Sequence, residues 1–224
     1  MKMKTTTSCL KVLILGAPQV GKSALTVRFL TKRFIGEYSS GTDCTYQTMF
    51  RYEDAALKVE IVDSASNSVT NNNKTKEIEA DAIVIVYSIV DRQSLKQAQD
   101  LLDQVTEKAP FNTPVLLLGN KTDLEHRRQV SHDDVILMTH QYQCRHCEVS
   151  VAESYTAVDR PMQELLTEAL LNRRLRLGQV KRRKSIFENV SRRIGNVFRR
   201  KSLEELLPKR RLARVMINVN RRSV

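Results

Sequence analysis

Leu10-Lys11-Val12-Leu13-Ile14-Leu15-Gly16-Ala17-Pro18-Gln19-Val20-Gly21-Lys22-Ser23 is the stretch that decides the fold of this chain. Leu10 to Leu15 is a short apolar run closed by a glycine, and it reads as a buried strand. Gly16 to Ser23 fits G-x-x-x-x-G-K-[ST] in full, and Lys22 to Lys32 then sets Leu25, Phe29 and Leu30 on one side of a helix. Strand, glycine loop and helix in that order form the context in which this pattern cradles phosphate. Glycines let the backbone curl so that its N–H groups point inward at phosphate oxygens. The helix N-terminus adds the positive end of its dipole. Lys22 is placed to reach the β- and γ-phosphates, and the Ser23 hydroxyl to ligate Mg²⁺.

Working outward, Thr45 to Tyr52 and Leu57 to Val62 read as strands separated by the polar pair Glu53-Asp54, and the Asn-rich stretch Ser64 to Thr75 reads as a loop. Ala82 to Ser88 is a fully apolar strand, Arg92 to Lys108 an amphipathic helix, and Pro114 to Gly119 another buried strand. Asp133 to Gln141 follows as a helix, Arg145 to Ser150 as a strand, and Pro161 to Leu175 as a helix. Strands alternating with helices predict a mostly parallel sheet covered on both faces. Beyond Leu177 the apolar content drops and Arg and Lys take over, so the expected division is an α/β domain at 8–177 and a basic tail at 178–224.

Asn120-Lys121-Thr122-Asp123 closes the apolar strand, 97 residues after Ser23. Asp123 can accept two hydrogen bonds, from the N1–H and the exocyclic amine of guanine. Adenine presents neither there, and a carboxylate left unpaired penalises it. Asn-Lys-x-Asp is a weak pattern alone; its place at a strand end behind a phosphate loop makes it specific.

Together, Gly16–Ser23, Asp63 and Asn120–Asp123 resemble the nucleotide-binding motifs of the Ras superfamily, and the run from Gly21 to Phe34 is similar to its Ras-like small GTPase branch. The resemblance covers roughly residues 9–177. It implies a P-loop NTPase fold with a six-stranded sheet, a monomeric state, and binding of GTP or GDP with Mg²⁺. Gly16, Gln19, Val20, Gly21, Lys22, Ser23 and Ala24 would then surround the phosphates. Phe34 would stack edge-on against guanine, Lys121 would lie along the base, and Ser150 and Val151 would sit in the last base-contacting loop. Ser23, Thr42 and Asp63 would serve Mg²⁺, Asp63 through a water. Lys22 and Asn67 would be the catalytic pair, Lys22 for transition-state charge and Asn67 for the attacking water. Effectors and regulators would meet the switch loops at 35–46 and 63–77.

Four departures gather near the γ-phosphate. Pro18 stands where a glycine is usual and removes one N–H donor. Gap-free matching places Gly41 at the switch I threonine, with Thr42 one residue late. The family's Asp-x-x-Gly-Gln reads Asp63-Ser64-Ala65-Ser66-Asn67, which keeps the amide on a shorter side chain. The last base loop, usually Ser-Ala-Lys, is Ser150-Val151-Ala152. Impaired hydrolysis is therefore the expectation, against a bland alternative in which divergent loops still work. A rival reading is a guanine-nucleotide-binding interaction module with negligible turnover.

Charge separates the two halves. Residues 172–224 carry 18 Lys and Arg against 3 Asp and Glu, a net +15, whereas residues 1–171 carry 19 against 22, a net −3. A segregated basic block implies an anionic partner. Ile186, Phe187, Val190, Ile194, Val197 and Phe198 fall on one helical stripe flanked by Lys181–Lys184, Arg192-Arg193 and Arg199–Lys201. Such a cationic amphipathic helix suits an anionic membrane surface through 181–206, at the inner face of the plasma membrane of a cytoplasmic protein. Calmodulin-like grooves, packing on its own domain and a nuclear address are the competitors. Arg182-Arg183-Lys184-Ser185 and Arg199-Arg200-Lys201-Ser202 repeat one kinase-directed pattern. Aromatic residues do not interleave the basic clusters, which argues against nucleic acid.

The last four residues hold no cysteine, so no prenyl anchor is expected. Lys11 interrupts the first apolar stretch and no cleavage site follows, so no secretory signal is expected either. The four cysteines are too few for a disulfide scaffold and are expected as cytosolic thiols. Cys144, Cys147 and the nearby His140 and His146 invite a zinc reading, which alternation along a strand disfavours.

Overall fold

The computed structural model of the chain describes residues 9–35, 43–53, 55–64, 78–110 and 112–198, with side chains from 178 onward outside that description. Thr42, Ser66, Asn67, most of both switch loops and the side chains of the tail stripe lie outside the described residues. The chain divides into two compact units, Met1–Arg174 and Leu175–Val224.

In the first unit the strands are β1 (Leu10–Gly16), β2 (Cys44–Tyr52), β3 (Ala55–Asp63), β4 (Ala82–Ser88), β5 (Val115–Asn120) and β6 (Arg145–Glu148). They form one sheet in the order β2-β3-β1-β4-β5-β6. β2 runs antiparallel to β3, and the remaining neighbours pair in parallel. The helices are α1 (Lys22–Thr31), α2 (Arg92–Lys108), α3 (His132–Tyr142) and α4 (Tyr155–Phe198), the last carrying backbone of both units. Every residue of β4 is buried, as its apolar run requires.

Two apolar clusters cover the faces of the sheet. One unites Leu10, Val12 and Ile14 of β1 with Ala24 and Leu25 of α1 and with Val158, Met162, Leu165, Leu166, Ala169 and Leu170 of α4. The other packs Leu95, Ala98, Leu101, Leu102 and Val105 of α2 and Val135 and Met138 of α3 against Leu13, Leu15, Ile83 and Ile85. Asp91 caps α2 by accepting from the backbone N–H of Gln93 at 2.9 Å and of Ser94 at 3.3 Å. Ser131 caps α3 through the Asp134 N–H at 3.1 Å.

Two boundaries differ from the sequence reading. β6 ends at Glu148 rather than Ser150, because the backbone turns there into the loop that bears Ser150. The last helix starts at Tyr155, not Pro161, so the proline is internal. An internal proline costs about 3 kcal/mol. Burial of Val158, Met162, Leu165, Leu166 and Leu170 on one face, at roughly 1.5–3 kcal/mol each, outweighs it. Ser154 supplies the cap, accepting from the Ala157 N–H at 3.2 Å.

At the N-terminal end of the sheet, Arg173 of α4 donates to the Cys9 carbonyl and, at 3.1 Å, to Asp81, which also accepts from the Lys11 N–H at 3.1 Å. This clasp joins the starts of β1 and β4 to the part of α4 in the first unit.

Candidate functional site

The C-terminal ends of the parallel strands gather the loops singled out in the sequence. The register aligns Ile14 with Asp63, Gly16 with Val86 and Ser88 with Asn120, so the phosphate loop, Asp63 and Asn120 share one edge of the sheet. Open α/β sheets bind ligands in that crevice.

The phosphate loop turns tightly. Gln19 adopts φ 62° and Gly21 φ 101°. A Cβ on Gly21 would stand 2.3 Å from Asn120 Nδ2, so glycine is required by both backbone and space. Lys22 is buried, and its Nζ donates to the Gly16 and Ala17 carbonyls at 2.9 Å each. Burial lowers its pKa, while the charge of Asp63 opposes that shift. Ala24 and Val20 are buried beside it.

Asp63, at the end of β3, is 3% exposed. Burial raises its pKa; a hydrogen bond with Ser23 and the charge of Lys22 pull the other way, and Asp43 adds repulsion. Its Oδ1 has no hydrogen-bond partner among the described residues. A buried carboxylate beside a serine hydroxyl is a donor set that could hold a cation.

Asn120 is the joint of the site. Its Nδ2 donates to the Val20 carbonyl of the phosphate loop at 2.8 Å. Its Oδ1 accepts from the Lys121 N–H at 2.7 Å and the Val151 N–H at 3.1 Å. Two N–H donors fix which end of the amide is oxygen. Lys121 takes φ 71° and turns the chain into a 3-10 turn, Thr122–Arg127, that carries Asp123. Ser150 Oγ donates to Asp123 Oδ1 at 2.7 Å and accepts from the Glu153 N–H at 3.2 Å. Asp123 is thus exposed yet oriented. Phe34 is 45% exposed, three residues past the end of α1.

Beneath these loops lies a polar network that sequence reasoning missed. Arg128, just past the 3-10 turn, forms ion pairs with Glu125 and with Glu148, each at 2.6 Å. Glu148 Oε1 also accepts from the Tyr87 hydroxyl at 3.0 Å. Burial pushes the Glu148 pKa up, but Arg128 and Tyr87 together hold it below its ordinary value. Since the carboxylate only accepts, Tyr87 spends its proton there, and His146 Nε2, 3.0 Å from the same oxygen, must donate as Nε2–H. Gly119 makes room: a Cβ there would lie 2.5 Å from Tyr87 Oη. The only sequence signal was an isolated glycine inside an apolar strand, a mark of close approach. Cys144 packs with the α2 side of the sheet and Cys147 with the α4 side, so the two thiols face apart.

Residues 11–171 of the chain match the Ras family. The chain belongs to the Ras family. This Ras-family small GTPase is 38% identical over 192 residues to the Ras-related and estrogen-regulated growth inhibitor-like protein of Bos taurus, spanning 80% of this chain and 94% of that one. It is 35% identical to the Ras-related and estrogen-regulated growth inhibitor of Homo sapiens, over 78% of this chain and 88% of that protein. Ras-like protein family member 12 of Danio rerio is 37% identical over 70% of this chain and 63% of its own length. The six-stranded sheet and the phosphate loop are those of a Ras-family P-loop protein that binds guanine nucleotide.

Proposed function

We propose that this Ras-family protein is a slow guanine-nucleotide switch that binds GTP and GDP with Mg²⁺, hydrolyses GTP by water attack, and presents residues 35–46 and 63–77 to an effector. The observation that carries the reading is the joint at Asn120, which ties the phosphate loop and both base loops to one side chain. Asp123, held by Ser150, meets the guanine N1–H and amine, and Phe34 and Lys121 flank the base. The backbone N–H groups of the phosphate loop hold the phosphates, and Lys22 exchanges the Gly16 and Ala17 carbonyls for phosphate oxygens.

The residues present fit Mg²⁺: Ser23 and Asp63 stand together, Asp63 Oδ1 having no partner among the described residues, and Thr42 would complete the set. When bound, the ion neutralises charge developing on the phosphoryl oxygens. Asn67 orients the water with a shorter reach than glutamine. A well-placed donor is worth roughly 2.7–4 kcal/mol in the transition state, so its partial loss slows turnover and spares binding. Substitutions at Gly41, Ser66 and Asn67 favour one second reading, an interaction module with negligible hydrolysis.

Asp123→Asn tests the binding site. It should weaken GTP and favour xanthosine nucleotide, whose exocyclic oxygen accepts; equal affinity of the parent for ATP and GTP would sink the reading. Single-turnover hydrolysis separates switch from module, and Ser66→Gly with Asn67→Gln should raise the rate of a slow parent. For the tail, we propose attachment to an anionic membrane through 181–206, loosened by phosphate on Ser185 or Ser202.

A further inference from the structure

Two contacts run from α1 and its C-cap to the segment that follows β6. Arg28 Nη2 donates to the Glu153 carbonyl at 2.9 Å. Lys32 Nζ stands 5.4 Å from the centroid of the Tyr155 ring. The Lys32 N–H in turn donates to the Arg28 carbonyl at 2.9 Å, with Lys32 held at φ 64° as the cap of α1. Arg28 Nε is buried with no hydrogen-bond partner among the described residues. Arg28 is half-buried, with Nε covered and Nη2 directed at the Glu153 carbonyl at the surface.

The loop at 149–154 is tied at its near half to Asn120 and Asp123 through the Val151 N–H and Ser150, and its far half folds back on Ser150 through the N–H groups of Glu153 and Ser154. Glu153 in its far half bonds Arg28 of α1, and Tyr155, which opens α4 just after it, meets Lys32 at the C-cap of α1. That helix begins with Lys22 and Ser23 of the phosphate loop. At 1.5 Å per residue, Arg28 lies about 9 Å and Lys32 about 15 Å along it from Lys22. One stiff element thus carries the phosphate cradle at one end and the outer part of the base loop toward the other. Phe34 follows two residues after Lys32.

We infer that Arg28 and Lys32 are positioning residues that retain bound nucleotide, by bracing the base loop against the phosphate-loop helix. The inference rests on the guanine-nucleotide reading. The brace acts on release, because the base loop must move outward from α1 before guanine leaves. The contacts of both side chains lie at Glu153 and Tyr155, so their loss should leave hydrolysis on the enzyme unchanged.

The experiment loads the full chain with a fluorescent GDP analogue and chases it with excess GDP. Arg28→Ala should speed release about tenfold, the range expected for a lost bond from a charged donor. Lys32→Ala, at an exposed helix end, should speed it about two- to fivefold, as a surface cation–π contact implies. Arg28→Lys keeps the charge and one donor and should return release to within about threefold of the parent. Association and single-turnover hydrolysis should be unchanged in all three. Alanine is the strongest helix former, so weakening of α1 itself predicts no acceleration. Release by Arg28→Ala within twofold of a slowly releasing parent, or equal acceleration by Arg28→Ala and Arg28→Lys, overturns the brace and leaves guanine recognition standing. Lys32→Ala matching the parent overturns its share even where Arg28→Ala does not fold. A parent that fails to bind the analogue overturns the guanine reading and the brace with it.

Discussion

Asn120→Ala removes the joint of the site. Asn120 is 4% exposed and bonds Val20 across 100 residues of sequence and Val151 across 31. A neutral hydrogen bond contributes about 1 kcal/mol net, so the two long-range bonds amount to about 2 kcal/mol. Deletion also strands the Val20 carbonyl and the Val151 N–H, which raises the loss toward about 4 kcal/mol. Release of GDP should therefore quicken at least about 30-fold, since 1.4 kcal/mol is a factor of ten. The melting midpoint should fall by at least roughly 4–8 °C for a domain of this size. Gly21→Ala attacks the same amide from the other side, because its Cβ would lie 2.3 Å from Asn120 Nδ2. The two substitutions lose the same bonds, so the double variant should fall short of the sum by about 1–2 kcal/mol. Fluorescent-GDP release and calorimetry on the four proteins measure the cycle. Additivity within about 0.3 kcal/mol, or release by Asn120→Ala within threefold of the parent, would refute the reasoning.

Gly119→Ala should destabilise the fold by crowding Tyr87, and Tyr87→Phe should recover part of the loss by removing the oxygen 2.5 Å from the new Cβ; no recovery in thermal melts counts against the packing argument. Burial lowers the His146 pKa from 6.5, so the unfolded chain takes up that proton first and stability falls as pH drops through that range. Glu148 favours the ionised form and titrates at lower pH, so His146→Gln should flatten the slope of melting midpoint between pH 7.5 and 5.5; an unchanged slope contradicts the assignment. Asp81→Ala should cost about 1–2 kcal/mol by releasing Arg173 and the Lys11 N–H, read as a lower urea midpoint at constant slope. The 224-residue chain should sediment with anionic but not neutral vesicles, and Phe187→Glu with Phe198→Glu should abolish this; binding that survives both glutamates rules out insertion of the apolar stripe.

Much of the fold was legible because its strands are written as apolar runs closed by functional loops. Val12 to Leu15 and Ile83 to Val86 admit no other reading once the phosphate loop stands between strand and helix. Pro161 misled because proline usually opens a helix, whereas Ser154, followed by Tyr155 and Thr156, was the cap signal. The base and phosphate residues were readable from local spacing. What held them was not: Arg28 with Glu153, Arg128 with Glu148 and Tyr87 with His146 are separated by 125, 20 and 59 residues and meet only through sheet order. Charged residues on helices and at strand ends carry no mark in the sequence that distinguishes such partners from solvated ones.

Strand β1 sits at the centre of the sheet, yet part of its covering layer comes from α4, where Val158 to Leu170 close over Leu10, Val12 and Ile14. On the ribosome those two segments emerge some 150 residues apart, an interval on the order of 10 s at ordinary elongation rates. Through that interval the face of β1, β3 and β4 that α4 will cover has only α1 to shield it. A nascent chain stopped before Tyr155 is then a sticky, half-clad sheet, and one that has released Leu170 can close. Stalled fragments should partition to the chaperone-bound or insoluble fraction up to that length, with an abrupt gain in protease resistance once the final turn of apolar residues has left the exit tunnel.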